Sequence, residues 1–231
     1  MSRVEHTFSE QKDLIAALSE RILEDLQNAI DTKGKASLLV SGGSTPKPLF
    51  EKFSKSVFTW EKVSIGLCDE RWIETSSPKS NEHFVNSFLL KGEAAKANFI
   101  GMYEDGKDIY ASQKVCSQKM QDTLASFDVV ILGMGSDAHT ASLFPENERL
   151  EEAFDMNNPD LCIAIEPDTA PFSRMSLTLQ AILSAEHIYL HFEGEEKIAV
   201  YEEAKSGEDV YKMPIRSVIN QTLKKVEVFY R

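Results

Sequence analysis

Cysteine is scarce: Cys68, Cys116 and Cys162 are the three in 231 residues, and no two form a CxxC pair. This excludes a disulfide-stapled scaffold and a clustered zinc site, and it predicts reduced thiols in a cytoplasmic protein. Apolar runs are short. None reaches about 18 residues, so no membrane helix is expected, and the opening MSRVEHTFSEQKD carries charges where a secretory leader needs roughly 7–15 apolar residues. Positive charge is also limited. The 25 Lys and Arg against 37 Asp and Glu give a net −12, which argues against nucleic acid as a partner, because Lys and Arg drive polyphosphate binding. A small anion in a locally positive pocket is compatible with that balance. Three catalytic signatures are missing too: there is no GxSxG nucleophile elbow, no GxxxxGK[ST] P-loop and no HExxH zinc helix. With no low-complexity tract and no repeat of fixed period, the composition predicts a single domain over residues 1–231 and leaves monomer or small homo-oligomer open.

What is present is an alternation of short apolar runs with helical patterns. Leu14, Leu18, Ile22, Leu26 and Ile30 recur every fourth residue and lay one apolar stripe along a helix. Thr7 and Glu10 are spaced for a capping box ahead of it, and Gly34 for its C-cap. Ala36 to Val40 reads as a strand, followed by a Gly-rich turn and an amphipathic segment through Phe50 and Phe53. Strands are likewise expected at Val63 to Cys68, Asp128 to Leu132, Leu161 to Ile165 and His187 to Phe192, with a helix over Glu195 to Ala204 and a surface excursion from Glu146 to Asp160. Unalternating apolar strands separated by helices predict an α/β fold with a mainly parallel sheet covered on both faces. Ligands collect at the C-terminal strand ends of such sheets.

The turns at those ends carry the chemistry. Ser41-Gly42-Gly43-Ser44-Thr45-Pro46 lies between strand and helix, where unpaired N–H groups suit an anion, most naturally a phosphate. Asp69-Glu70-Arg71 brings a guanidinium and two carboxylates to the same rim, and Arg suits a bidentate grip on phosphate or a developing oxyanion. Gly133-Met134-Gly135-Ser136-Asp137-Ala138 is formally a G-x-G-x-x-A. Asp137 would repel a pyrophosphate, however, and Pro145 leaves room for only a short helix, so no dinucleotide cofactor is expected. The same turn presents Asp137 beside His139, a carboxylate that can orient an imidazole acting as general base. Arg174 and Lys197 are isolated cations open to either a solvated or a binding role. His187 and His191 have the spacing of a helical metal site but fall in an apolar strand, so no metal is expected there, and His6 and His83 read as surface residues.

Three stretches resemble the signatures of the 6-phosphogluconolactonase family: residues 41–46, Asp69-Glu70-Arg71-Trp72 with Ser80-Asn81 downstream, and residues 133–145. A weaker likeness covers Pro171-x-x-Arg174-x-Ser176-Leu177-Thr178 and Gly194-x-x-Lys197. The resemblance implies a Rossmann-like three-layer α/β/α fold (NagB/RpiA/CoA-transferase-like). It also implies cofactor-free and metal-free hydrolysis of 6-phospho-D-glucono-1,5-lactone in the oxidative pentose phosphate pathway. By position, His139 would activate water with Asp137 beside it and Arg71 in the active site. Gly42, Gly43, Ser44, Thr45, Asp69, Arg174 and Lys197 would bind the sugar phosphate. An isomerase or amino-sugar deaminase on the same fold is the competing reading, and a catalytically silent sugar-phosphate sensor is a third. The chain departs from the family pattern at Glu74, often Pro, and at Ala138, usually Gly; Ala138 is expected to take an ordinary backbone conformation, since a Cβ is strained in the left-handed region.

Overall fold

The computed structural model describes residues 3–124 and 126–231. Ten strands and eight α-helices alternate along the described residues: β1 (Arg3–Thr7), α1 (Gln11–Lys33), β2 (Ala36–Val40), α2 (Lys47–Phe53), β3 (Val63–Leu67), β4 (Asp69–Arg71), α3 (Asn81–Phe88), β5 (Asn98–Ile100), α4 (Ile109–Leu124), β6 (Val129–Leu132), α5 (Leu150–Phe154), β7 (Cys162–Ile165), β8 (Arg174–Leu177), α6 (Leu179–Leu183), β9 (His187–Phe192), α7 (Glu195–Ser206), α8 (Arg216–Ile219) and β10 (Val226–Tyr230). Seven strands form one parallel sheet in the order β1-β10-β9-β6-β2-β3-β5. Its central strands are buried throughout, which is why their residues read as continuous apolar runs. The sequence did not announce the second sheet, the antiparallel β4-β8-β7.

Helix α1 follows the predicted stripe, with Leu14, Leu18, Ile22, Leu26 and Ile30 buried against β2, β6 and β10. Gly34 closes it in the left-handed conformation at φ 79°, its N–H donating to Ile30 O at 2.8 Å. The capping box does not form. Thr7 ends β1, in register with Tyr230, and Glu10 is the N-cap with no side-chain hydrogen bond, so strand pairing has claimed the residue that would have capped the helix. Cys116 on α4 and Cys162 on β7 are buried side by side, sulfur to sulfur 3.1 Å.

Candidate active site

Parallel register decides which residues meet above the sheet. Val40 pairs with Leu67 on one side and Ile131 on the other, and Leu132 pairs with Leu190. Two residues past Val40, Gly42 therefore comes level with Asp69, Gly133 and His191. A row with a polar side chain at each end crosses two glycines in the middle, and the gap is a cavity. Its walls are residues 41–46, Asp69, Arg71, Asn81, residues 131–135, His139, Ala141, His191 and Lys197.

The first wall is the diglycine turn. Gly43 sits at φ 96°, and among the described residues the N–H groups of Gly42, Gly43, Ser44 and Thr45 donate to no protein acceptor. Helix α2 behind them is only seven residues long, so the capacity for an anion lies in this cluster of amides more than in a helix dipole. Gly42 is fixed by a close approach: a Cβ there would stand 2.0 Å from Asn81 Oδ1. Asn81 Nδ2 in turn donates to Asp69 O at 2.8 Å, and Asp69 Oδ2 accepts from Ser142 Oγ at 2.6 Å, so three segments far apart in sequence lock at one corner of the cavity.

The two carboxylates of Asp69-Glu70-Arg71 separate because side chains alternate along a strand. Asp69 and Arg71 line the cavity, whereas Glu70 is fully buried on the other side. Its carboxylate accepts from Arg71 N and Asn81 N at 2.7 Å, from Glu82 N at 2.7 Å and from Ser80 Oγ at 2.9 Å. Burial raises its pKa above the usual carboxylate range although all four bonds pull the other way. Glu70 is a helix cap for α3, satisfying N–H groups that have no partner in the helix.

Among the described residues Arg71, Arg174 and Lys197 form no ion pair. Arg71 Nη1 donates to Lys79 O at 2.5 Å, and Arg174, opposite Arg71 in the β4–β8 register, donates from Nη2 to Pro171 O at 3.1 Å. Burial, followed by repulsion from Arg71, lowers the pKa of Arg174. Arg174 lies beside the cavity and is not part of its lining. Lys197 does line it, half-buried near the start of α7, where burial lowers its pKa; among the described residues it forms no ion pair.

The third segment returns on itself after β6. Gly135 N donates to His139 O at 2.9 Å and Ala138 N to Gly135 O at 3.1 Å. This tight closure puts Ala138 at φ 68°, which overturns the expectation of an ordinary backbone there: the turn imposes the left-handed conformation whatever the side chain. Ala141 at φ 48° and Glu146 at φ 57° add two more non-glycine residues in that region, and strain of this kind gathers at functional sites. The turn's product is a coupled pair. Asp137 Oδ1 accepts from His139 N at 3.1 Å and lies 2.5 Å from His139 Nδ1. A carboxylate can only accept, so Nδ1 carries the hydrogen and the neutral ring keeps its lone pair at Nε2. Burial works to raise the Asp137 pKa, but the hydrogen bond and charge of His139 outweigh it and the pKa is lowered. Phe144 packs on the imidazole at 4.7 Å between ring centres.

The structure thus brings Gly42, Gly43, Ser44, Thr45, Asp69, Arg71, His139 and Lys197 to one cavity, with Asp137 holding His139 from behind and Arg174 alongside. Asn81 and Ser142 lie within the signature stretches but were given no role from sequence, and His191 was read only as part of an apolar strand. Among the described residues no three His, Cys, Asp or Glu side chains converge as metal ligands, and no helix is long and apolar enough to cross a membrane.

Residues 9–228 match the family described as glucosamine-6-phosphate isomerases/6-phosphogluconolactonase. The chain belongs to this family. A 6-phosphogluconolactonase of Rhizobium meliloti is 36% identical over 230 residues, covering 100% of this chain and 99% of its own length. One from Pseudomonas putida is 36% identical over 218 residues, covering 94% and 90%. The crystal structure of a 6-phosphogluconolactonase from Shewanella baltica superimposes with a TM-score of 0.95 at 41% identity, over 99% of this chain and 97% of that one. The superposition covers the parallel sheet and its flanking helices together.

Proposed function

We propose that this chain hydrolyses 6-phospho-D-glucono-1,5-lactone to 6-phospho-D-gluconate, the lactonase step of the oxidative pentose phosphate pathway. The observation that carries this reading is the His139–Asp137 pair, with Nε2 left as the basic nitrogen, on the wall of a cavity whose other walls are unpaired amides and cations. Full-length likeness to relatives named for that activity supports it.

In this mechanism the phosphate rests against the amides of residues 42–45 and the Lys197 ammonium, with Arg174 adding positive charge from alongside. That anchoring turns the lactone carbonyl toward His139 and makes water attack nearly intramolecular. His139 Nε2 takes a proton from water as oxygen bonds to C1. The resulting tetrahedral oxyanion collapses by expelling the ring oxygen, which takes the proton back from His139 and becomes the C5 hydroxyl. Arg71 offers an unpaired charge on the same wall to the phosphate or to the oxyanion. Asp137 keeps the imidazole in the tautomer that can act as a base.

The test is hydrolysis of freshly generated lactone, corrected for spontaneous opening. His139→Asn should lower kcat by about 10²–10⁴-fold with little change in KM. Equal rates in both proteins would end the assignment of His139. Turnover of hexosamine phosphates in place of the lactone would instead favour the isomerase/deaminase branch of the family.

A further inference from the structure

We infer that His191 is a substrate-binding residue that donates a hydrogen bond to the phosphate of the sugar ester, a role that rests on the function proposed above. Strand β9 is otherwise filled as a core strand should be, with Ile188, Tyr189, Leu190 and Phe192 buried. His191 occupies the same strand with 2% of its surface exposed, yet neither ring nitrogen makes a hydrogen bond. Nε2 has only a long contact, 3.4 Å to Glu193 Oε1, and Nδ1 has no partner. An apolar side chain would fill this place without leaving polar atoms unsatisfied.

The surroundings say what the imidazole is for. His191 is level with Gly133, whose missing side chain opens the sheet edge beside it, and it lines the same cavity as the catalytic turn. The crossover that follows β9 delivers Lys197 to this wall without an ion pair, and the facing wall presents the free amides of residues 42–45. The cavity's carboxylate, Asp69, stands at the opposite end of the row and is engaged by Ser142 and Asn81, whereas the amides of residues 42–45, Lys197 and the imidazole are donors or cations, so the matching ligand at this end is a group with several acceptor oxygens, as a phosphate is. The nearby Glu193 carboxylate is already engaged by Arg231 Nε at 2.7 Å and Gln11 Nε2 at 3.0 Å, and so holds the ring from behind. With Nε2 turned to the Glu193 carboxylate, Nδ1 is the ring nitrogen left to donate to a phosphate oxygen.

Steady-state kinetics on His191→Leu, His191→Asn and His191→Gln, with inorganic phosphate as competing probe, test this. His191→Leu should raise both KM for the phosphorylated lactone and Ki for phosphate about tenfold, with kcat changed less than about threefold. Asn, whose amide reproduces the Nδ1 position, should recover most of the loss, and Gln should not. Unchanged KM and phosphate Ki in His191→Leu, or a fall in kcat alone, would overturn the inference. Should the leucine variant fail to fold, the wild-type protein still decides: adding inorganic phosphate should shift the imidazole nitrogen resonances that vanish in His191→Asn, and fixed resonances would overturn the inference. A wild type that binds phosphate through His191 but leaves the lactone intact would sink the proposed activity while keeping this contact.

Discussion

At Gly135 the absence of a side chain is what allows the His139 imidazole and the Asp137 carboxylate to meet. A Cβ at that position would stand 2.2 Å from His139 Nδ1 and 2.5 Å from Asp137 Oδ1, so the pair can close only over a bare Cα. Gly135→Ala should therefore push the imidazole off its partner while leaving the fold, whose core lies elsewhere, close to wild-type stability. A misplacement of about 1 Å can cost on the order of 10² in rate, so kcat should fall about a hundredfold with a melting temperature within a few degrees of wild type. Full kcat in the alanine variant would show that the pair tolerates another geometry. Ala138, three residues on, shows the opposite economy of space. There the Cβ is accommodated and the backbone bears the strain, because hydrogen bonds at both ends of the turn dictate its path.

Among the elements, α3 depends on a residue outside itself. Ser80 caps it in the ordinary way, its Oγ accepting from His83 N at 3.1 Å, but Asn81 N and Glu82 N are satisfied by Glu70 on strand β4. Glu70→Gln keeps the shape yet replaces an acceptor oxygen with an NH₂ group, so a donor faces donors at one end of the side chain. Leaving buried donors unsatisfied costs about 1–3 kcal/mol, and at about 2–4 °C per kcal/mol for a chain of this size the melting temperature should drop by roughly 2–12 °C. An unshifted melting curve would mean that solvent reaches the cap. This arrangement also marks where sequence reading stops. The strands β2, β6 and β9 and helix α1 were legible because buried parallel strands and a one-sided helix impose local patterns, and the turns after β2, β3 and β6 were legible as site segments because topology places them at one edge. Strands β4 and β8 are short and charged, and they look like loop until pairing joins Asp69 to Ser176 across the chain. The tail-like Arg3–Thr7 is a strand only because Val226–Tyr230 lies beside it. Asn81 and Ser142 stood in the signature stretches, but their contacts with Asp69 are set by tertiary packing, and His191 was hidden because a cavity-lining position in an apolar strand has the same local pattern as core.

Over the whole molecule, one carboxylate ties together regions that the topology brings to the same end of the sheet. Glu193, just after β9, binds Gln11 at the start of α1 and Arg231 at the last residue, and it faces His191 beneath the cavity. His191 contributes most to lowering its pKa; burial opposes the shift, Arg231 and Gln11 reinforce it, and the result is about 2 against an ordinary value of 4.5. The sign of the consequence follows from linkage. A carboxyl whose pKa is lower in the folded state than in the unfolded chain releases its proton more readily on folding. Its stabilisation is complete above about pH 5 and is lost as pH falls from 4.5 toward 2. After allowance for partial solvent screening, the contribution is on the order of 1–2 kcal/mol. Glu193→Gln should consequently melt about 2–8 °C below wild type at neutral pH, and the gap should narrow steadily as the buffer is taken from pH 5 to pH 3. Other carboxylates titrate across the same range in both proteins, and their effect cancels in the difference between the two melting curves. A gap that stays constant with pH would show that the side chain stabilises by shape and packing, and that its charge does not couple the start of α1 and Arg231 to the crossover carrying Lys197.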